Sequence, residues 1–136
     1  MFLLDSNVVS ALRRPAMAPP SLIAWAAAIP VTDLYISAMT IFELELGVCR
    51  IERRDRVQGE LLRAWLTGHV VAHFRNRILP IDEAVAARCA ALHVPDPRPE
   101  RDSFIAATAL VHRLVVVTRN VKDFPDVRTL DPWAAH

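Results

Sequence analysis

At 136 residues the chain has room for one domain, spanning residues 1–136, with a single sizeable core. Hydrophobic residues make up 53% and charged residues 23%, which excludes a disordered chain because burial can offset the entropy of ordering. With 16 Lys and Arg against 15 Asp and Glu the formal net charge is +1, so any affinity for nucleic acid has to come from how the charge is distributed. Lys122 is the only lysine among the bases.

In chain order, Phe2 to Leu4 is a short apolar run ended by Asp5, and Ser6 or Asn7 can cap a short helix from Val8 to Arg13. Pro15, Pro19 and Pro20 break the chain, after which Ser21 caps a helix from Leu22 to Ala28 that Pro30 ends. Leu34 to Ser37 reads as a second strand. Thr40 starts a helix with Ile41, Leu44 and Val48 on one face, and a further helix is expected from Val57 to about Phe74. Ile78 to Ile81 is a third strand with Pro80 near its end, and Asp82 caps a helix from Glu83 to His93. Asp102 begins a helix, Phe104 to His112. Leu114 to Val117 is a β-branched run typical of a buried parallel strand, and a weak fifth strand follows at Val127 to Leu130. The alternation predicts a three-layer α/β/α sandwich with a mainly parallel sheet of roughly five strands.

Cys49 and Cys89 both fall in apolar helical patterns and read as small buried hydrophobes rather than a disulfide or metal site. His69 and His73 are spaced i,i+4, but without the glutamate of an HExxH motif a structural role is favoured. No basic leader precedes the first strand and no stretch approaches a membrane span, so the expectation is a soluble, cytoplasmic protein without membrane contact.

Four carboxylates, Asp5, Glu43, Asp102 and Asp123, sit where strands stop and helices begin. In an open α/β sheet those junctions share the carboxyl edge, where ligands bind. Each acid also has a local explanation: Thr40 and Glu43 have capping-box spacing, Asp5 and Asp102 are suitable N-caps, and Asp123 suits a turn. Four capping roles do not explain convergence with Asn7, Thr118 and Asn120 beside them. Two carboxylates about 4 Å apart repel by roughly 4 kcal/mol at an effective dielectric near 20, so such a cluster calls for a cation. Hard oxygen donors select Mg²⁺ or Mn²⁺ over zinc.

At these residues the chain resembles the PIN-domain family, specifically the VapC-type toxins of type II toxin–antitoxin pairs, near the FitB-like branch. The matching stretches are Leu4-Asp5-Ser6-Asn7-Val8, Ile36 to Gly47 around Glu43, Asp102-Ser103-Phe104-Ile105 through Ala109, and Val117-Thr118-Arg119-Asn120-Val121-Lys122-Asp123-Phe124, with Leu130 to Trp133 closing the match. The resemblance implies a magnesium-dependent endoribonuclease held inactive by a cognate VapB-type antitoxin, usually a homodimer, reaching DNA only through that antitoxin. It implies that Asp5 and Asp102 are the most direct metal ligands, Glu43 the helix-borne acid and Asp123 the fourth. Asn7, Thr118 and Asn120 then support them, and products carry a 5′-phosphate and a 3′-hydroxyl. Glu45 departs from the pattern, standing where the family often has an aromatic or basic residue.

Arg119 and Lys122 flank Asn120 and Asp123 and are the favoured RNA contacts, whereas Arg50, Arg53, Arg54 and Arg56 read as a solvated helix end or, second, as a rim for RNA phosphates or an acidic antitoxin tail. Trp25, Trp65, Leu61 and Leu62 are expected in the core or an interface. Two other readings fit less well. A phosphatase or receiver domain also places an aspartate after its first strand but needs a second acid that this chain lacks. A PIN-fold binding module would act mainly in an antitoxin–DNA autorepression complex with little turnover.

Overall fold

The computed structural model describes residues 1–134. Five parallel strands, β1 (Phe2–Leu4), β2 (Leu34–Ser37), β3 (Ile78–Leu79), β4 (Val115–Val117) and β5 (Thr129–Leu130), form one sheet in the order β3-β2-β1-β4-β5. The chain builds outward from β1 through β2 to β3, then returns to lay β4 on the other side of β1. Adjacent β1 and β4 therefore define a topological switch point, where crossovers diverge and leave a crevice beyond the strand ends.

Central strands are apolar on both faces, as a covered parallel sheet requires. Leu4 and Val117 face one layer, made by α1 (Ser6–Leu12), α2 (Pro20–Ala28), α3 (Ala38–Arg54), and α4 (Arg56–Trp65) with its continuation; Val8, Leu22, Leu44, Val48 and Leu66 pack there. Leu3 and Val116 face the other, where Ile105, Ala106 and Ala109 of α6 (Glu100–His112) close the core. Val85 and Cys89 of α5 (Glu83–Leu92) pack against Ala107 of α6. The three-layer parallel sandwich expected from the sequence is the observed fold, and Trp25, Trp65 and Leu62 are packed against the first core layer while Leu61 is exposed.

Several helix starts differ from expectation for a common reason: a neighbouring oxygen or proline was better placed. Asp5, extended at φ −72° and ψ 159°, caps α1 by accepting from the Ser6 amide at 2.8 Å, so neither Ser6 nor Asn7 is the cap. Pro20 opens α2 at the position where no N–H is needed, and the Ser21 hydroxyl instead donates to the Trp133 carbonyl at 3.2 Å. Ser37 caps α3 through the Thr40 amide at 3.0 Å, so the Thr40–Glu43 capping box does not form and Glu43 lies beyond the first turn. The α6 helix begins at Glu100, directly after Pro99, which places Asp102 inside its first turn rather than before it.

The expected long helix after Val57 is also interrupted. It starts at Arg56, capped by Asp55, and at Leu66–Val71 widens into a π-helical turn. His69 lies within this turn and His73 just beyond it, and both are exposed. Cys49, expected buried, is exposed, because the apolar stripe of α3 runs through Leu44 and Val48; Cys89 is buried as expected.

Candidate active site

Asp5 is the anchor. Its amide donates to the Val117 carbonyl at 2.9 Å, prolonging the β1–β4 ladder by one residue and holding the carboxylate at the switch point. The side chain is 6% exposed, and each oxygen has a partner. Oδ1 accepts from the Ser6 amide; Oδ2 accepts from the Thr118 hydroxyl at 2.9 Å and the Asn7 amide group at 3.4 Å. Thr118, fully buried at the end of β4, also accepts from Asn7 Nδ2 at 3.3 Å and from the Asn120 amide at 3.0 Å. Asn7 Oδ1 in turn accepts from the Arg119 amide at 3.3 Å, so one side chain couples both switch-point loops.

The other acids approach from separate elements. Glu43 projects from α3 and accepts from the Ser6 hydroxyl at 3.1 Å. Asp102 sits half-buried in the first turn of α6, and Asp123 ends the short turn Val121–Asp123 in an exposed position. Burial, and then the negative charge of neighbours, raises three of them above the ordinary carboxylate range. Asp5 is raised by desolvation and by Asp123, against hydrogen bonds from Thr118 and Ser6 that lower it. Desolvation raises Glu43, with Asp5 and Asp102 adding to it; desolvation likewise raises Asp102, with Asp5 and Asp123 adding to it. Every acid thus takes part in one mutually repelling group.

Arg101 and Ser6 belong to this site and were not singled out from the sequence. The Arg101 guanidinium lies 4.0 Å from Glu43 and 5.4 Å from the centre of the Phe42 ring, and its charge lowers both Glu43 and Asp102. Its adjacency to Asp102 was the only available signal, since the contact with Phe42 and Glu43 joins α6 to α3 across the fold. Glu45, the departure from the family pattern, points away to Arg63 at 2.7 Å, and Arg63 also holds Glu52 at 3.1 Å. Lys122 is exposed on the turn beside Asp123, while the Arg119 guanidinium turns onto the Trp133 ring at 5.5 Å.

The donor set is all carboxylate and hydroxyl oxygen, with a net negative charge that one arginine at its edge does not neutralise. That chemistry fits a hard divalent cation. Among the described residues no three His, Cys, Asp or Glu side chains close into a ready-made ligand group, so the acids converge without being locked around one point. Both Asp5 oxygens are hydrogen-bonded, whereas Glu43 reaches in on a longer side chain and Asp123 is exposed.

A doubly wound parallel sheet with carboxylates gathered at its switch point defines an acid-centred α/β domain, and the chain belongs to the PIN domain family, whose profile matches residues 2–130. It is 36% identical over 140 residues to Toxin FitB of Neisseria gonorrhoeae, covering 98% of this chain and 99% of that protein. It is 30% identical over 140 residues to the VapC ribonuclease Y4jK of Sinorhizobium fredii, covering 98% of each. The fold superposes on FitAB bound to an IR36 DNA fragment with a TM-score of 0.86 at 34% identity, over 100% of this chain and 98% of that one.

Proposed function

We propose that the protein is a magnesium-dependent endoribonuclease, the toxin half of a VapBC-type pair restrained by a cognate antitoxin. The observation that carries this reading is the placement of the acids at the switch point: Ser6 bonds both Asp5 and Glu43, Asp102 and Asp123 line one pocket, and charges within the group raise the pKa values of Asp5, Glu43 and Asp102. Full-length similarity to a named toxin and to a named ribonuclease supports it.

Asp5 and Asp102 would hold the cation most directly, with Glu43 and Asp123 completing the oxygen shell; Mn²⁺ would satisfy the same donors. A bound Mg²⁺ supplies Lewis acidity toward the scissile phosphate and the attacking water. The chain's own groups do the rest. Thr118 and Asn7 fix the Asp5 carboxylate in one orientation, so no reorganisation is needed when substrate arrives. Ser6 steers Glu43 by its hydroxyl, and Asn120 ties the Asp123 turn to Thr118 through its amide. Arg101 stands where it can meet a phosphate oxygen once Glu43 turns inward.

Purified protein freed of any antitoxin is expected to cut total cellular RNA into discrete fragments in Mg²⁺. EDTA and the variant Asp5→Asn should each abolish cutting by at least about a hundredfold, a loss of roughly 2.7 kcal/mol of transition-state stabilisation. A second reading, a binding module acting in an antitoxin–DNA complex, draws on the FitAB–DNA neighbour. Absence of cleavage from folded, antitoxin-free protein would favour it. Association as a homodimer is expected in either case, and light scattering at micromolar concentration checks it; a monomer would contradict it.

A further inference from the structure

Beside the acidic centre, on the far side of Asn7, lies a second cleft of about 500 Å³ between α1, the turn Pro15–Met17 and the C-terminal segment. Its walls carry Arg13, Arg14, Arg119 and Trp133, and no acid. None of these three arginines pairs with a carboxylate among the described residues, in contrast to Arg56, Arg63, Arg98 and Arg101. One is held against an aromatic ring within the cleft: the Arg119 guanidinium lies 5.5 Å from the centre of the Trp133 ring, whereas Arg13 lies 5.9 Å from that of Trp65, which is not one of the cleft's walls. Stacking restrains a guanidinium while leaving its N–H edge free for phosphate.

Trp133 is itself fixed at both ends of its backbone unit, its amide donating to Asp131 at 2.8 Å and its carbonyl accepting from Ser21 at 3.2 Å. The Trp133 backbone is thus held in place, and its ring, with the Arg119 guanidinium beside it, offers an aromatic platform of the kind on which an unpaired base lies. Asn7 is a wall of this cleft and also a hydrogen-bond partner of Asp5 and Thr118, so cleft and acidic centre are one side chain apart.

We propose that this cleft is a subsite for single-stranded RNA flanking the scissile phosphate, binding a neighbouring phosphate on Arg14 and Arg119 and a base on the Trp133–Arg119 platform. The inference rests on the ribonuclease reading above and adds where the strand runs. An acidic peptide could use the same charges, but it would have no use for a stacked aromatic platform or for continuity with the catalytic carboxylate.

The test is fluorescence anisotropy of a fluorescein-labelled 12-nucleotide oligouridylate with the full-length protein in EDTA, where no turnover occurs. The double variant Arg14→Glu, Arg119→Glu is expected to bind at least about tenfold more weakly, with the slope of log affinity against log salt reduced by about one. Arg75→Glu with Arg88→Glu makes the same charge change at exposed positions away from the cleft, and should shift affinity less than threefold. Unchanged binding by a cleft variant with native near-UV circular dichroism would overturn the proposal, as would equal losses in both double variants. A labelled oligoglutamate bound more tightly than the RNA, and weakened by the cleft variant, would also overturn it, in favour of a peptide site. If RNA binding depends on the cleft but no Mg²⁺-dependent cleavage is found, the ribonuclease reading fails and the cleft stands. Intact cleavage with cleft-independent binding gives the reverse.

Discussion

Asp5 does two jobs that pull in opposite directions: it caps α1 and it carries negative charge into a site already crowded with carboxylates. Thr118 reconciles them, as its hydroxyl donates to Asp5 while accepting from Asn7 and Asn120. Thr118→Val keeps the shape and removes the hydroxyl, so it should cost about 1–3 kcal/mol in urea unfolding and weaken Mg²⁺ binding; wild-type stability in this variant would contradict the assigned role. Asp5, Glu43 and Asp102 hold protons more tightly in the fold than a free carboxyl does, burial being the largest cause. The metal-free native state therefore binds more protons than the unfolded chain, and stability is lost as pH rises from the ordinary carboxylate range through the raised values. Asp102→Asn removes one of the repelling charges and is expected to raise the metal-free Tm at pH 7 by about 2–4 °C while blunting the further rise that Mg²⁺ produces. A lower metal-free Tm would refute that sign. The four acids were legible in the sequence because Asp5 and Asp123 follow the apolar runs of β1 and β4, and Glu43 and Asp102 lie near the starts of helical patterns, although the structure sets those two inside α3 and α6 rather than at strand–helix junctions. Ser6 and Arg101 were not, since only the approach of α3 to α1 and α6 gives them partners.

The helix pair α3–α4 shows how one residue type can carry opposite consequences. A methyl group on Gly59 would meet the Glu52 Cα at 2.6 Å, a backbone contact that no side-chain rotation relieves, whereas Gly47 in α3 has nothing within 4 Å. Gly59→Ala should destabilise by about 1–3 kcal/mol, because overpacking exceeds the roughly 1 kcal/mol of helix propensity gained. Gly47→Ala should stabilise by about 0.5–1 kcal/mol through propensity alone. Urea denaturation of both variants checks the contrast, and the same sign for both would break it. The alternation of strands and helices was readable because β-branched runs and alanine-rich amphipathic runs have different periods. Exact starts were not, where two or three oxygen-bearing side chains or prolines compete within one turn, as at Ser37 against Thr40 and Pro20 against Ser21. The π-helical turn at Leu66–Val71 was equally hidden, since a one-residue bulge leaves the hydrophobic pattern nearly intact.

At the scale of the molecule, the order β3-β2-β1-β4-β5 turns four short sequence motifs into one place. The acids from β1, α3, α6 and the turn after β4 meet only because the chain crosses back beside its first strand. Basic and acidic surfaces are then laid side by side: the arginine cleft on one flank of Asn7 and the carboxylates on the other, which explains how a chain of net charge +1 could engage a polyanion without a global field. No helix among the described residues is long and apolar enough to cross a membrane. If the acidic group holds a divalent cation, calorimetric titration of the full-length protein with Mg²⁺ and with Mn²⁺, beside Asp5→Asn and Asp102→Asn, will show it. Saturable binding by the wild type, weakening as pH falls and lost in both variants, is the predicted result. No binding by the wild type, or binding that both variants retain, would contradict it.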